Sequence, residues 1–139
     1  MKRRNFLKNI LGGIAIGPSA FNAMILDTKR KDKFVRQWNK KNSEVYLGIL
    51  YNGIEITSKD YHRIKTPKNW ELLPNGVLIN AEEIQFPTCE NSWGNINEFA
   101  FYDTEKDGNM LISGRLAKQI YISSGDTITF LKQYIEIIL

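Results

Sequence analysis

From Glu44 onward, apolar and polar positions alternate in short runs broken by turn residues. Glu44–Tyr51 runs into Asn52-Gly53 and then Ile54–Thr57. Asn-Gly between two such runs is a strong short-range hairpin signal, because both turn positions take positive φ. Tyr61–Lys65 is a short alternating run closed by Pro67. Val77–Asn80 and Glu83–Phe86 flank a polar kink, with Pro87 stopping the second. Ile96–Tyr102 alternates, placing Asn97, Phe99 and Phe101 on one face, expected to be the core, and Ile96, Glu98, Ala100 and Tyr102 on the other. Met110–Ala117 and Gln119–Ile122 follow the Asp107-Gly108-Asn109 turn. Thr127–Leu131 and Tyr134–Leu139 follow Ser123-Ser124-Gly125-Asp126. Eight or nine short strands at roughly ten-residue spacing, with no convincing helix, predict an all-β antiparallel sandwich or jelly-roll-like domain. The last run, with Ile135, Ile137, Ile138 and Leu139, is nearly all apolar. It is expected either at the centre of the core or covered by another subunit.

Upstream of Glu44 the texture differs, and charge shows how much. Residues 1–43 hold eleven Lys and Arg against two acids, a net +9; residues 44–139 hold eight against thirteen, a net −5. This predicts a basic N-terminal arm (1–43), extended or partly helical, joined to a mildly acidic β-domain (44–139). In the arm, Phe34, Val35 and Trp38 form a small apolar face if that piece is helical, with Asp27 or Thr28 as its cap. Basic residues with interleaved aromatics can signal nucleic-acid binding. A solvated linker or docking peptide is the commoner meaning and the one expected here.

The first residues allow two readings. Arg3, Arg4, Phe6, Leu7 and Lys8 match the twin-arginine export motif position for position, and the apolar run Ile10–Ile16 follows as a short h-region. That run is too short and glycine-rich to span a bilayer as a helix. No clean small-x-small cleavage site follows it, since Pro18 and Phe21 fall where small residues are needed. The other reading is an anchoring arm in which Arg3, Arg4, Phe6, Leu7, Ile10 and Leu11 pack on a neighbouring subunit.

Catalytic chemistry is sparse. With one cysteine, Cys89, and one histidine, His62, there is no intrachain disulfide, no cysteine-based zinc site and no histidine relay. Glu90 beside Cys89 disfavours a thiolate. Glu82 and Glu83 are adjacent, so a strand points them to opposite faces. Asp103–Asn109 superficially resembles a calcium loop, but its twelfth position is Gly114 rather than a bidentate acid. No catalytic residue, cofactor or metal site is expected.

Several segments, in order, resemble those of small β-sandwich domains from tailed-phage virions, of the tail-fibre-like or head-decoration kind. They are Ile54–Thr57 with Tyr61–Ile64; Asn80 through Phe86-Pro87; Trp93-Gly94-x-Ile96-x-x-Phe99-x-Phe101-Tyr102-Asp103; Gly108–Leu111 with Gly114 and Leu116; and Ser124-Gly125-Asp126-x-Ile128-x-Phe130. The resemblance covers about residues 46–139, with no counterpart for the stretch after Pro67. It implies a non-enzymatic structural protein of the virion. An auxiliary or decoration protein of the capsid is expected first, with a tail or fibre component as the close variant. Its implied partners are capsid or other virion proteins and further copies of itself, often as a trimer. The runner-up is a twin-arginine-exported bacterial protein, periplasmic or extracellular, whose sandwich binds a ligand or partner. The landmark residues themselves have structural reasons. Gly94, Gly108 and Gly125 suit turns with positive φ. Asp103 and Asp126 suit turns that they brace by bonding backbone two residues on. Trp93, Phe99 and Phe101 suit the core.

Overall fold

The computed structural model describes residues 13–16, 21–22, 34–38 and 44–138. Its strands are β1 (Gly13–Ile16), β2 (Phe21–Asn22), β3 (Tyr46–Tyr51), β4 (Ile54–Glu55), β5 (Ile64–Lys65), β6 (Trp70–Leu72), β7 (Val77–Asn80), β8 (Ile84–Gln85), β9 (Gly94–Tyr102), β10 (Met110–Ile122), β11 (Thr127–Phe130) and β12 (Glu136–Ile138). Residues 34–38 form one helical turn, and 44–138 carry no helix. The expected all-β antiparallel sandwich is the fold.

One sheet runs β2-β10-β9-β3-β4, with β5 also on β3; two three-stranded sheets run β1-β11-β8 and β12-β7-β6. All three feed one core. Leu47, Ile49, Phe99 and Phe101 come from the large sheet, Ile84, Ile128 and Phe130 from the second, and Trp70, Leu78 and Ile137 from the third. Edge-on ring contacts join Phe99 to Phe101 at 6.1 Å and to Phe130 at 5.6 Å, an arrangement aromatic quadrupoles favour.

The hairpin at Asn52-Gly53 forms with φ of 50° and 85°, and Gly94, Gly108 and Gly125 take positive φ as expected. Phe99 and Phe101 face the core, each 1 % exposed. The face assignment of Ile96 and Asn97 requires correction. Ile96 joins Phe99 and Phe101 in the core, while Asn97 turns out to bond Asn52 at 2.7 Å. The cause is a bulge: Glu98 faces Arg115, but Ile96 faces Ile120, so β10 spends five positions where β9 spends two. An odd offset turns one strand over against the other; Leu116 and Ile122 keep β10 in phase across the gap, so β9 is the strand that changes face. The same bulge lets β10 run on through Lys118, where two separate strands were expected. β6 was not foreseen. It pairs with β7 through a turn in which Gly76 N donates to the Leu73 carbonyl and Leu73 N to that of Val77.

The final strand lies in its own core, with Ile135 and Ile137 buried beside β7. Asn80, 1 % exposed, fixes it: its amide donates to the carbonyls of Glu82 (2.8 Å) and Leu131 (3.0 Å), and its oxygen accepts from Ile135 N (2.9 Å). Upstream, Phe34 is fully buried, its ring 5.4 Å from Phe101 and 6.1 Å from Trp70. The core therefore draws on the chain ahead of Glu44.

Candidate functional site

Two neighbouring strands create the most developed polar cluster. On β3 and β9, positions 47, 49, 99 and 101 point to the core, so 46, 48, 50, 100 and 102 form the opposite face. The Asn52-Gly53 turn folds β4 back so that Glu55 lies across from Leu50 on that face. Gly48 leaves the room: a Cβ there would lie 2.9 Å from Glu55 Oε2, the Tyr102 ring and the Tyr61 hydroxyl alike.

Arg63 fills the cluster. Its Nε and Nη2 donate to Glu55 Oε2 and Oε1, both at 2.9 Å, the two-pronged geometry that suits a guanidinium to a carboxylate. Its Nη1 donates to the carbonyls of Thr104 (2.9 Å) and Asp107 (2.7 Å), and its plane lies 3.4 Å from the centre of the Tyr102 ring. The Tyr61 hydroxyl donates to Glu55 Oε2 at 2.6 Å and accepts from Ile49 N at 3.0 Å. Burial alone would raise the Glu55 pKa. The hydrogen bonds from Arg63 and Tyr61 and the guanidinium charge outweigh it and hold the carboxyl below its usual range. Burial, and then Glu55, push the Tyr61 phenol upward. Burial works against the Arg63 cation, but the bonds and charge of Glu55 raise its pKa nonetheless.

This cluster holds the 103–109 loop to the sheet. The loop that superficially resembled a calcium site is braced from within. Arg63 takes the Thr104 and Asp107 carbonyls, and Thr104 Oγ1 donates to the Lys106 carbonyl at 2.8 Å. Asp103 accepts from Asn109 N at 2.8 Å and Nδ2 at 3.1 Å, six residues on rather than the two expected, because Asp107 and Gly108 both take positive φ and lengthen the turn. Among the described residues, no three His, Cys, Asp or Glu side chains gather as a metal would need. An open cleft of about 440 Å³ borders the cluster, with Glu55, Tyr61, His62, Arg63, Lys106 and Asp107 in its lining.

The other landmark residues gather elsewhere. Asp126 Oδ2 accepts from Ser123 N at 2.7 Å, three residues back rather than two on, since its turn closes toward β10. Gly125 N donates to the Cys89 carbonyl at 2.8 Å, and Cys89 Sγ to that of Ser123 at 2.9 Å. Burial pushes the Cys89 thiol up. Trp93 lies edge-on to Tyr61 and Phe86, and its buried Nε1 has no acceptor among the described residues. Asp60 joins the two regions, accepting from Glu90 N (2.6 Å), Asn91 N (3.3 Å) and Ser58 Oγ (2.9 Å). The backbone bond from Glu90 is the largest influence bringing its pKa to about 2. Arg3, Arg4, Phe6, Leu7, Ile10 and Leu11 lie outside the described residues. Among the described residues no helix is long and apolar enough to cross a membrane.

Fold and clusters together define a small β-sandwich whose best-built polar groups hold its own loops in place. The chain belongs to the family of the podophage GP4 fiber I protein gp80, whose model matches residues 51–138. That span runs from the end of β3 through β12. No curated protein matches the chain.

Proposed function

We propose that the chain is a non-catalytic fibre component of a podophage virion, acting by burying surface against other virion proteins and copies of itself. The match to a fibre family over residues 51–138 carries this reading and favours the fibre over capsid decoration. The side chains support a passive role. The Cys89 thiol is buried with a raised pKa, and the Glu55 carboxylate is committed to Arg63 and Tyr61. In this reading the residues ahead of Phe34, which is itself buried in the domain core, are the anchor. Arg3 and Arg4 contribute charge that salt weakens, and Phe6, Leu7, Ile10 and Leu11 contribute apolar contact that salt does not weaken.

Gold-labelled antibody against the β-domain, viewed on purified particles by electron microscopy, tests the placement. Label on fibres is expected. Label on the head would restore the decoration reading, and bare particles would sink both. A shortened chain in the periplasm, lost on changing Arg3 and Arg4 to Lys, would instead favour export. Light scattering at micromolar concentration is expected to show a homo-oligomer.

A further inference from the structure

We infer that the outer edge of β11 is a seat for a strand from a second copy of this chain, filled by Gly13–Ile16 of a neighbour in the assembled fibre. The inference rests on the reading of the residues ahead of Phe34 as an anchoring arm, and it names the arm's target.

β1 lies parallel on β11, with Gly13 opposite Thr127, Ile14 opposite Ile128, Ala15 opposite Thr129 and Ile16 opposite Phe130. Every other pairing among the described strands is antiparallel. Antiparallel neighbours can be made by local hairpins, whereas a parallel strand must arrive by a long connection or from another chain. Here the partners are 114 positions apart in sequence.

The seat needs an occupant. Without β1, β11 retains β8 alone, paired at two positions. Ile128 and Phe130 are core residues, so an open edge at β11 would expose unpaired backbone beside the core. Main-chain pairing supplies affinity for an added strand whichever chain provides it.

Length and charge indicate the neighbour. β2, which pairs β10 at Arg115 and Leu116, travels with β1 as one donor unit ending at Asn22. Eleven residues separate it from Phe34, whose side chain is buried in the domain core. Fully extended they span roughly 36–40 Å, enough to leave a domain whose radius of gyration is about 13 Å. With residues 34–43 kept on the domain that buries Phe34, the domain carries a net −2 and the arm ahead of it a net +6, so an arm laid from one copy onto the next meets the opposite charge. The family match, residues 51–138, includes the acceptor strands β10 and β11 and excludes the donor. Each copy would give one such two-strand unit and take one, a head-to-tail contact that builds a ring or an open fibre.

The test mixes two full-length chains of different tag length, one Ala15→Cys and one Thr129→Cys, both with Cys89→Ser. They are co-expressed, mildly oxidised and separated without reductant. Bridging between the two tagged chains is expected, and a chain carrying both substitutions should give dimers and higher species. Bridging confined to single chains of the double variant would overturn exchange, and no bridging in either experiment would overturn the pairing itself. Gly13→Cys with Thr127→Cys repeats the test in the same register if Thr129→Cys disturbs folding. Gold on fibres together with intrachain bridging alone would sink the exchange and leave the fibre reading standing.

Discussion

Arg63 shows at the residue scale how chemistry in this protein serves shape. Lysine would keep its charge but not its fork, leaving the Glu55 carboxylate or the 104 and 107 carbonyls short of a donor. Arg63→Lys is expected to cost about 1–3 kcal/mol of stability by urea denaturation; an unchanged midpoint would show that the cluster holds nothing. Phe101 is 1 % exposed, with Phe34, Trp70 and Phe99 rings around it. Phe101→Ala should cost about 3–5 kcal/mol, and a loss below about 1 kcal/mol would contradict its burial. Asp60 and Glu55 both have depressed pKa values in the folded chain. Their contribution is therefore complete above the ordinary carboxylate range of about 4 and is lost as pH falls through the folded values, for Asp60 toward about 2. Asp60→Asn should flatten that acid limb in urea titrations at successive pH values. Tyr61 and Arg63 were visible in the sequence within the segment Tyr61–Ile64. Their joint grip on Glu55 was not, because it depends on how β4 folds back.

Among the elements, those announced by local turn chemistry were legible. Asn52-Gly53 marks the β3–β4 hairpin and Ser124-Gly125-Asp126 the turn before β11, since positive φ is a property of the residues themselves. β6 was obscured because Trp70–Leu72 is three residues between two prolines; the one available signal was Pro74-Asn75-Gly76, a turn that implies a strand on either side. The face of Ile96 was misread because periodicity cannot foresee the bulge opposite it. The apolar final strand was expected either central to the core or under a neighbouring subunit, and Asn80 ties it into its own sheet. Asn80→Ala would leave the buried Ile135 N without its acceptor and remove one donor each from the part-buried 82 and 131 carbonyls, the latter keeping Tyr134 N. Orphaning the buried N–H costs about 1–3 kcal/mol. Hydrogen exchange should then quicken across β12 well before it does in β9. Uniform quickening would show that Asn80 supports the whole fold equally.

For the molecule as a whole, charge separated an arm from a domain, but packing draws the core further upstream. Phe34 fills a space walled by Trp70 and Phe101. A chain starting at residue 44 should therefore be less stable than one starting at residue 33 by about 3–5 kcal/mol, the cost of emptying a phenylalanine site. Equal urea midpoints would return Phe34 to the arm. Sequence could not place Phe34, because an apolar residue within a basic run looks alike whether it packs inward or waits for a partner.

The position of Ile137 in the core also governs when this protein can mature. β12 pairs with β7 from some sixty residues away, and β3 with β9 from about fifty. Such distant pairings make β-sandwiches slow, on a scale of milliseconds to seconds, since loop closure comes before any reward. A nascent chain emerging at roughly 5–20 residues per second presents β3, β7 and β9 long before β12 exists to cover them. Maturation is thus a late event, and the interval before it is when unfinished copies are most prone to pair with one another in the wrong register.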